Sequence, residues 1–268
     1  MNASAESVFA WEPLTPRGVA AFARARPGRL LLVQFIIAVL AAVSVDWFLH
    51  NGCFPTIGAA IERLPAQGEI RGGRLDWHGD SPQLLAEGRF LAFNVDLNHA
   101  GQIRSPAQVQ VEFGGRTVRV FSLLGYTEFN YPPRWTRAFN QTDLEPLWGA
   151  WKPDVLVIAT MAVILGLTLW WAVLATVYFL PLRLICFFAD RDLNLRQSWR
   201  LAGAALMPGE LLLTVAMVFY AFGALDLIQI CFAFGAHLVL GWIYLFLGPL
   251  FLARLSAPNK GNPFLTKS

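Results

Sequence analysis

Apolar positions in this chain gather into four long blocks, and the polar positions between them are unevenly shared out. The first block, LLLVQFIIAVLAAVSVDWFL from Leu30 to Leu49, has the twenty or so residues an α-helix needs to cross a hydrocarbon core. It is long for a signal peptide and follows a polar leader, which predicts an uncleaved first span. The second block runs from about Asp154 to Leu180, where Pro181 is expected to end or kink the helix. The third covers roughly Ala202 to Leu225 and the fourth Leu227 to Leu252, with only the tight turn Gly223–Asp226 between them. The expected fold class is an α-helical multi-pass membrane protein of about four transmembrane helices, at 30–50, 153–181, 202–225 and 227–253. The tract 201–253 admits other divisions.

Between the first two blocks, residues 51–152 change period. PTIGAAIERLP places Ile57, Ile61 and Leu64 at helical spacing, a short amphipathic helix closed by Pro65. Alternation then takes over. EIRGGRLDW turns at Gly72–Gly73, and FLAFNVDL sets Leu91, Phe93, Val95 and Leu97 on one face. AQVQVEF and RTVRVF flank Gly114–Gly115, and a two-residue loop there pairs Val111 with Val118 and Val109 with Val120. That register also sets Gln110 beside Arg119 and Glu112 beside Thr117, giving one apolar and one polar face. The segment is expected to be a small β-rich (α+β) domain inserted between helices. Trp47, Trp148 and Trp151 lie where an aromatic belt would sit.

Composition agrees with this pattern: 56% of residues are hydrophobic and 15% charged, too little polar surface to cover the chain in water. The net charge of +3 carries no basic tract interleaved with aromatics, so nucleic acid is not an expected partner. The placement of charge says more than its sum. Arg17, Arg24, Arg26 and Arg29 precede the first block; Arg183, Arg191, Arg196 and Arg200 follow the second; Arg254, Lys260 and Lys267 close the chain. The positive-inside rule then expects both termini (1–29 and 254–268) and the 182–201 loop in the cytoplasm, and residues 51–152 outside the inner membrane. TPRGVAAFARARPG reads as a helix capped by Thr15 with Pro16 first, either interfacial or a solvated connector. Asn194, with Gln197 three residues on, is a helix start. Cys53, Cys186 and Cys231 have neither disulfide nor metal-ligand spacing.

Candidate chemistry is sparse. Glu210, Gln229 and His237 are polar positions inside apolar blocks, where a polar group is costly and worth testing for a transport role. The simpler account is favoured: Glu210 lies shallow enough to reach the cytoplasmic interface, and Gln229 and His237 hydrogen-bond to neighbouring helices. Ala233, His237 and Gly241 recur every four residues, with Gly248 a heptad on, a face suited to close helix packing. Asp76, His78 and Asp80, with His99 and Asp96 in the same insert, read as turn and edge residues rather than a metal site. No hydrolase constellation, phosphate loop or dinucleotide fingerprint is present, so neither catalytic residues nor a cofactor or metal is expected.

The stretch NLRQSWRLAGAALMPGELL, a polar Arg-bearing turn running into small residues and Pro208, resembles the membrane half of Yip-type proteins. With LPAQGEIRGGRLDW and FNVDLNHAG, the whole chain is more similar to an uncharacterised bacterial group with Yip-like helices and an extracytoplasmic β domain. The resemblance implies a helical bundle without catalytic residues. The expected function is a non-enzymatic integral membrane protein that organises or assists other membrane components. Its partners would be the lipid bilayer and other membrane proteins or copies of itself. The alternatives are a transporter or channel subunit using Glu210 and His237, and an extracytoplasmic ligand sensor.

Overall fold

The structure, a computed structural model, describes residues 11–191 and 193–254. The leader up to residue 10, Asp192, and the tail from residue 255 with Lys260 and Lys267 lie outside the described residues. The chain divides into two compact units. One gathers the segments up to Ala42, Ala162–Met217 and from Ile228 on; the other comprises Val43–Met161 and Val218–Leu227.

The first unit is helical. Helix α1 (Pro16–Phe22) starts as the sequence predicts: the Thr15 hydroxyl accepts from the Gly18 amide at 2.9 Å, and Pro16 takes the first position. Its apolar residues are turned inward, however. Val19 and Phe22 are fully buried among Leu201, Ala202 and Leu252, so α1 is part of the bundle rather than a solvated connector. Helix α2 (Pro27–Phe48) continues through a π-helical turn (Leu49–Cys53) into α3 (Phe54–Glu62).

Helix α4 (Gln141–Phe188) starts earlier than the sequence suggests and runs on past Pro181. The reason is tertiary: Leu182 and Cys186 are buried in the core, and that burial outweighs the hydrogen bond a proline removes. Helix α5 (Leu195–Ala205) opens on the expected capping box. Asn194 Oδ1 accepts from the Gln197 amide at 2.9 Å, and Gln197 Oε1 accepts from the Asn194 amide at 3.0 Å. Two residues before Pro208 the helix breaks at Leu206 and restarts as α6 (Met207–Ala221). Helix α7 (Leu227–Leu247) ends in a 3-10 turn (Gly248–Phe251).

Among the described residues, four helical stretches are long and apolar enough to cross a bilayer: Pro27–Glu62, Gln141–Phe188, Leu195–Ala221 and Leu227–Phe251. Much of their apolar surface is uncovered. Ile158, Leu165, Leu169 and Leu180 of α4 and Phe232 and Val239 of α7 are all more than half exposed.

The second unit holds two small sheets. Strands β1 (Gly68–Arg71) and β2 (Arg74–Trp77) form the expected hairpin, with Gly72 and Gly73 both at positive φ as its turn requires. Strand β8 (Thr136–Ala138) pairs with β1 on the other side. The larger sheet has the order β3 (Gln83–Glu87), β4 (Leu91–Val95), β5 (Val109–Phe113), β6 (Thr117–Ser122), β7 (Gly125–Asn130). Its one parallel pair is β4–β5, joined by the crossover 96–108. Its apolar face packs Leu85, Ala86 and Val95 on Ala60, Leu64, Tyr131 and Phe139.

The β5–β6 register differs from the sequence expectation. Val111 faces Val120 and Glu112 faces Arg119, which moves the two-residue loop from Gly114–Gly115 to Gly115–Arg116. Gly114 is instead a paired residue: a Cβ there would overlap the His99 ring. Beneath it, the buried Tyr131 hydroxyl donates to the Gly114 carbonyl at 3.1 Å.

Burial pushes the Tyr131 phenol well above its usual value near 10. Since the folded phenol holds its proton longer than the unfolded one, the contribution is complete below pH about 10 and is lost as pH rises beyond it. Alkaline melts of the protein should therefore drop above pH about 10, and Tyr131→Phe should make that drop shallower. An identical drop in the variant would refute the assignment.

Within this unit Phe90 stacks on Phe48 and Tyr220, with ring centroids 4.8 and 5.1 Å away, and Arg89 donates to the Leu225 carbonyl at 2.7 Å. The turn after α6 therefore docks on the insert. Gly223 is at positive φ, where a side chain would be strained, and a Cβ there would also push aside the Arg89 guanidinium.

Candidate functional site

Alternation on β4 and β5 gives a polar face, and the structure buries it. Asn94, Asp96, Gln110 and Glu112 are all under 9% exposed because the 96–108 crossover lies over them. A buried polar group is costly without partners, and here each finds them. Asn94 Nδ2 donates to Glu112 Oε2 at 3.1 Å, and Gln110 Nε2 donates to Asn94 Oδ1 at 2.9 Å and to the Ile103 carbonyl at 3.1 Å. Asp96 accepts from the amides of Asn98 and Gly101 at 3.2 and 3.0 Å.

His99 Nδ1 lies 2.6 Å from Glu112 Oε1 and Nε2 lies 2.7 Å from Thr117 Oγ1. A carboxylate only accepts, so Nδ1 carries the proton, while Nε2 shares the second hydrogen bond with the Thr117 hydroxyl. This is the bond order of a nucleophile–base–acid relay, but Glu112 and Thr117 are both buried under the loop. The bonds fasten the crossover to the sheet. His99 sits at φ 53°, a backbone state held by these side-chain bonds.

The polar positions of the apolar blocks do not form one cluster. Glu210, in the first turn of α6, is buried, His237 is half-buried and Gln229 is exposed. Glu210 and His237 share no hydrogen bond or ion pair; His237 Nδ1 turns to the Phe234 carbonyl of its own helix. On the small-residue face, Gly241 lies against Leu206 and Gly248 against Leu201, while Ala233 is half-buried. The tightest approach is one the spacing did not single out, Gly209 against the His237 backbone.

Asp46 of α2 was also missed, although an acid inside an apolar run is itself a signal. Its Oδ2 accepts from the Thr160 hydroxyl, and its buried Oδ1 has no partner among the described residues. Gln34 of the same helix donates to the Gly203 carbonyl at 3.3 Å.

Around the insert, Asp76 and His78 form a loose exposed pair at 3.9 Å. No three His, Cys, Asp or Glu side chains converge on a metal position among the described residues. A cavity of about 150 Å³ lies among Ile57, Leu85, Phe93, Phe113 and Leu144, wholly apolar and smaller than the range of several hundred Å³ common for ligand pockets.

The edges of the large sheet differ. Strand β3 is interrupted by a register shift between Leu84 and Ala86 and is preceded by Pro82, both of which discourage further pairing. Strand β7 has neither. All six of its residues are exposed, it pairs with β6 alone, and its one charge, Glu128, is bonded to Arg119 at 2.9 Å, which holds that carboxyl below its usual range. Leu123, Leu124, Tyr126 and Phe129, all more than half exposed, extend the patch around the hairpin tip.

Comparison with protein-family models, with curated proteins and with solved structures finds no match for this chain. The geometry alone therefore carries the functional reading.

Proposed function

We propose that this protein is a non-enzymatic, multi-pass integral membrane protein that organises or assists other membrane components, engaging them through its β-rich insert. The membrane part rests on the large apolar side chains left uncovered along four helices of sufficient length, which water would not tolerate. Arginine placement favours both termini in the cytoplasm and the insert outside. The Yip-like layout belongs to the same proposal.

The observation that carries the partner role is strand β7. Unblunted strand edges recruit further strands, and this one is flanked by exposed Leu, Tyr and Phe side chains. The occupant is an extended segment of another membrane protein that adds to the sheet beside β7.

A photoreactive side chain at Phe129, in native membranes, should give an adduct whose site lies in an extended segment of a membrane protein. One at Glu87, on the blunted edge, should not. Thr127→Lys with Phe129→Lys should abolish the complex, since edge lysines resist pairing. A protein that stays monomeric and forms no adduct at either position would refute the proposal.

A further inference from the structure

A cleft of about 760 Å³ opens in the helical unit where α5 begins. Its walls are apolar: Pro27 from α2, Phe179 from α4, and Leu195 and Trp199 from α5. The indole is held in place, since Trp199 Nε1 donates to the Thr176 hydroxyl at 3.1 Å. Arg196 and Arg200, one helical turn apart, are the charged residues of the lining, and no acid joins them there.

Arg200 is already positioned. Its Nε donates to the Arg196 carbonyl at 3.3 Å and its Nη1 to the Ala25 carbonyl, which leaves the other guanidinium nitrogen for a further acceptor. Neither arginine forms an ion pair among the described residues. Two like charges at this spacing repel each other, and an anion between them relieves that repulsion.

An apolar slot with a guanidinium pair at its rim matches an amphiphile with an anionic phosphate head. Guanidinium forks bind phosphate oxygens in pairs, and basic pockets between helices suit lipid headgroups. We infer that this cleft holds one anionic phospholipid, its phosphodiester on Arg196 and Arg200 and the start of its acyl chains along Phe179, Leu195 and Trp199. The inference rests on the membrane reading above, which places α5 at the cytoplasmic end of a span, within reach of a lipid of that leaflet.

The test uses the full chain reconstituted in phosphatidylcholine bilayers with and without phosphatidylglycerol, with retained lipid counted by native mass spectrometry. Wild-type protein should retain phosphatidylglycerol in preference to phosphatidylcholine. R196Q/R200Q should lose that preference by roughly fivefold per arginine, and R196K/R200K should fall between. R183Q removes an exposed arginine outside the cleft and should retain the wild-type preference. Added inorganic phosphate should not displace the lipid.

Unchanged retention in R196Q/R200Q, or an equal loss in R183Q, overturns the inference. So does displacement by inorganic phosphate, which would make this a free-anion site. Carbonate extraction separates the two readings: protein that stays in the membrane with unaltered lipid retention sinks only this inference. Release by carbonate sinks both.

Discussion

Glu112→Ala should unfold the insert or bring it close to unfolding. The Glu112 carboxylate accepts from Asn94 and His99, and its side chain is 1% exposed. Truncation leaves two buried donors unpaired and opens a void. Each stranded polar group costs about 1–3 kcal/mol, so a loss of about 3–5 kcal/mol is expected. Against a typical domain stability of about 5–15 kcal/mol, that removes from about a fifth to all of it. Once Glu112 is gone, His99 keeps only its Thr117 bond to hold its positive φ, and the crossover 96–108 loses one of its main fastenings to the sheet.

The measurement is a melt of the full protein in detergent, followed by near-ultraviolet ellipticity and by proteolysis within 96–108. Glu112→Ala should melt much earlier and be cut in the crossover. Glu128→Ala, which breaks an exposed pair on β7, should melt like wild type. If the two variants melted together, the buried network would not be what closes the loop onto the sheet.

That network also marks where sequence reasoning stopped. Alternation correctly groups Asn94, Gln110 and Glu112 on a polar face, because a strand's side chains have a period of two. It says nothing of what covers the face, and the cover comes from a crossover whose course depends on the parallel β4–β5 pairing. The β5–β6 loop slipped for a related reason. Two adjacent glycines look like a turn, yet Gly114 is glycine because His99 lies against it. The turn at Gly72–Gly73 could be read because its glycines serve only local backbone needs.

Proline gives the same lesson on the helices. Pro208 accompanies a break at Leu206, whereas Pro181 sits inside an unbroken helix. The local cost of a proline is similar in both places, and both are flanked by core residues, Leu182 and Cys186 at one and Leu206 and Met207 at the other, so neither the proline nor the burial around it foretells which helix breaks. The four apolar blocks could be read because they depend on composition over twenty residues, which no single contact overrides.

The second large effect is expected at Gly209. By helix propensity alone, glycine to alanine in α6 should gain close to 1 kcal/mol. At Gly209 the sign should reverse. A Cβ there would overlap the His237 carbonyl oxygen and come within 3.1 Å of its carbon and 3.4 Å of its Cα. These are backbone atoms of α7, which cannot rotate aside as the end of a side chain can. The helices would have to separate, and the contacts of Gly241 with Leu206 and of Gly248 with Leu201 lie on the same seam. A cost of about 3 kcal/mol is expected for Gly209→Ala, with more for Gly209→Leu.

Gly166→Ala and Gly235→Ala are the internal comparison, since a Cβ at either position meets nothing within 4 Å. The thermal aggregation temperature of the detergent-solubilised protein should fall well below wild type for Gly209→Ala and hold or rise for the other two. Equal behaviour of all three would mean that α6 and α7 do not depend on this approach.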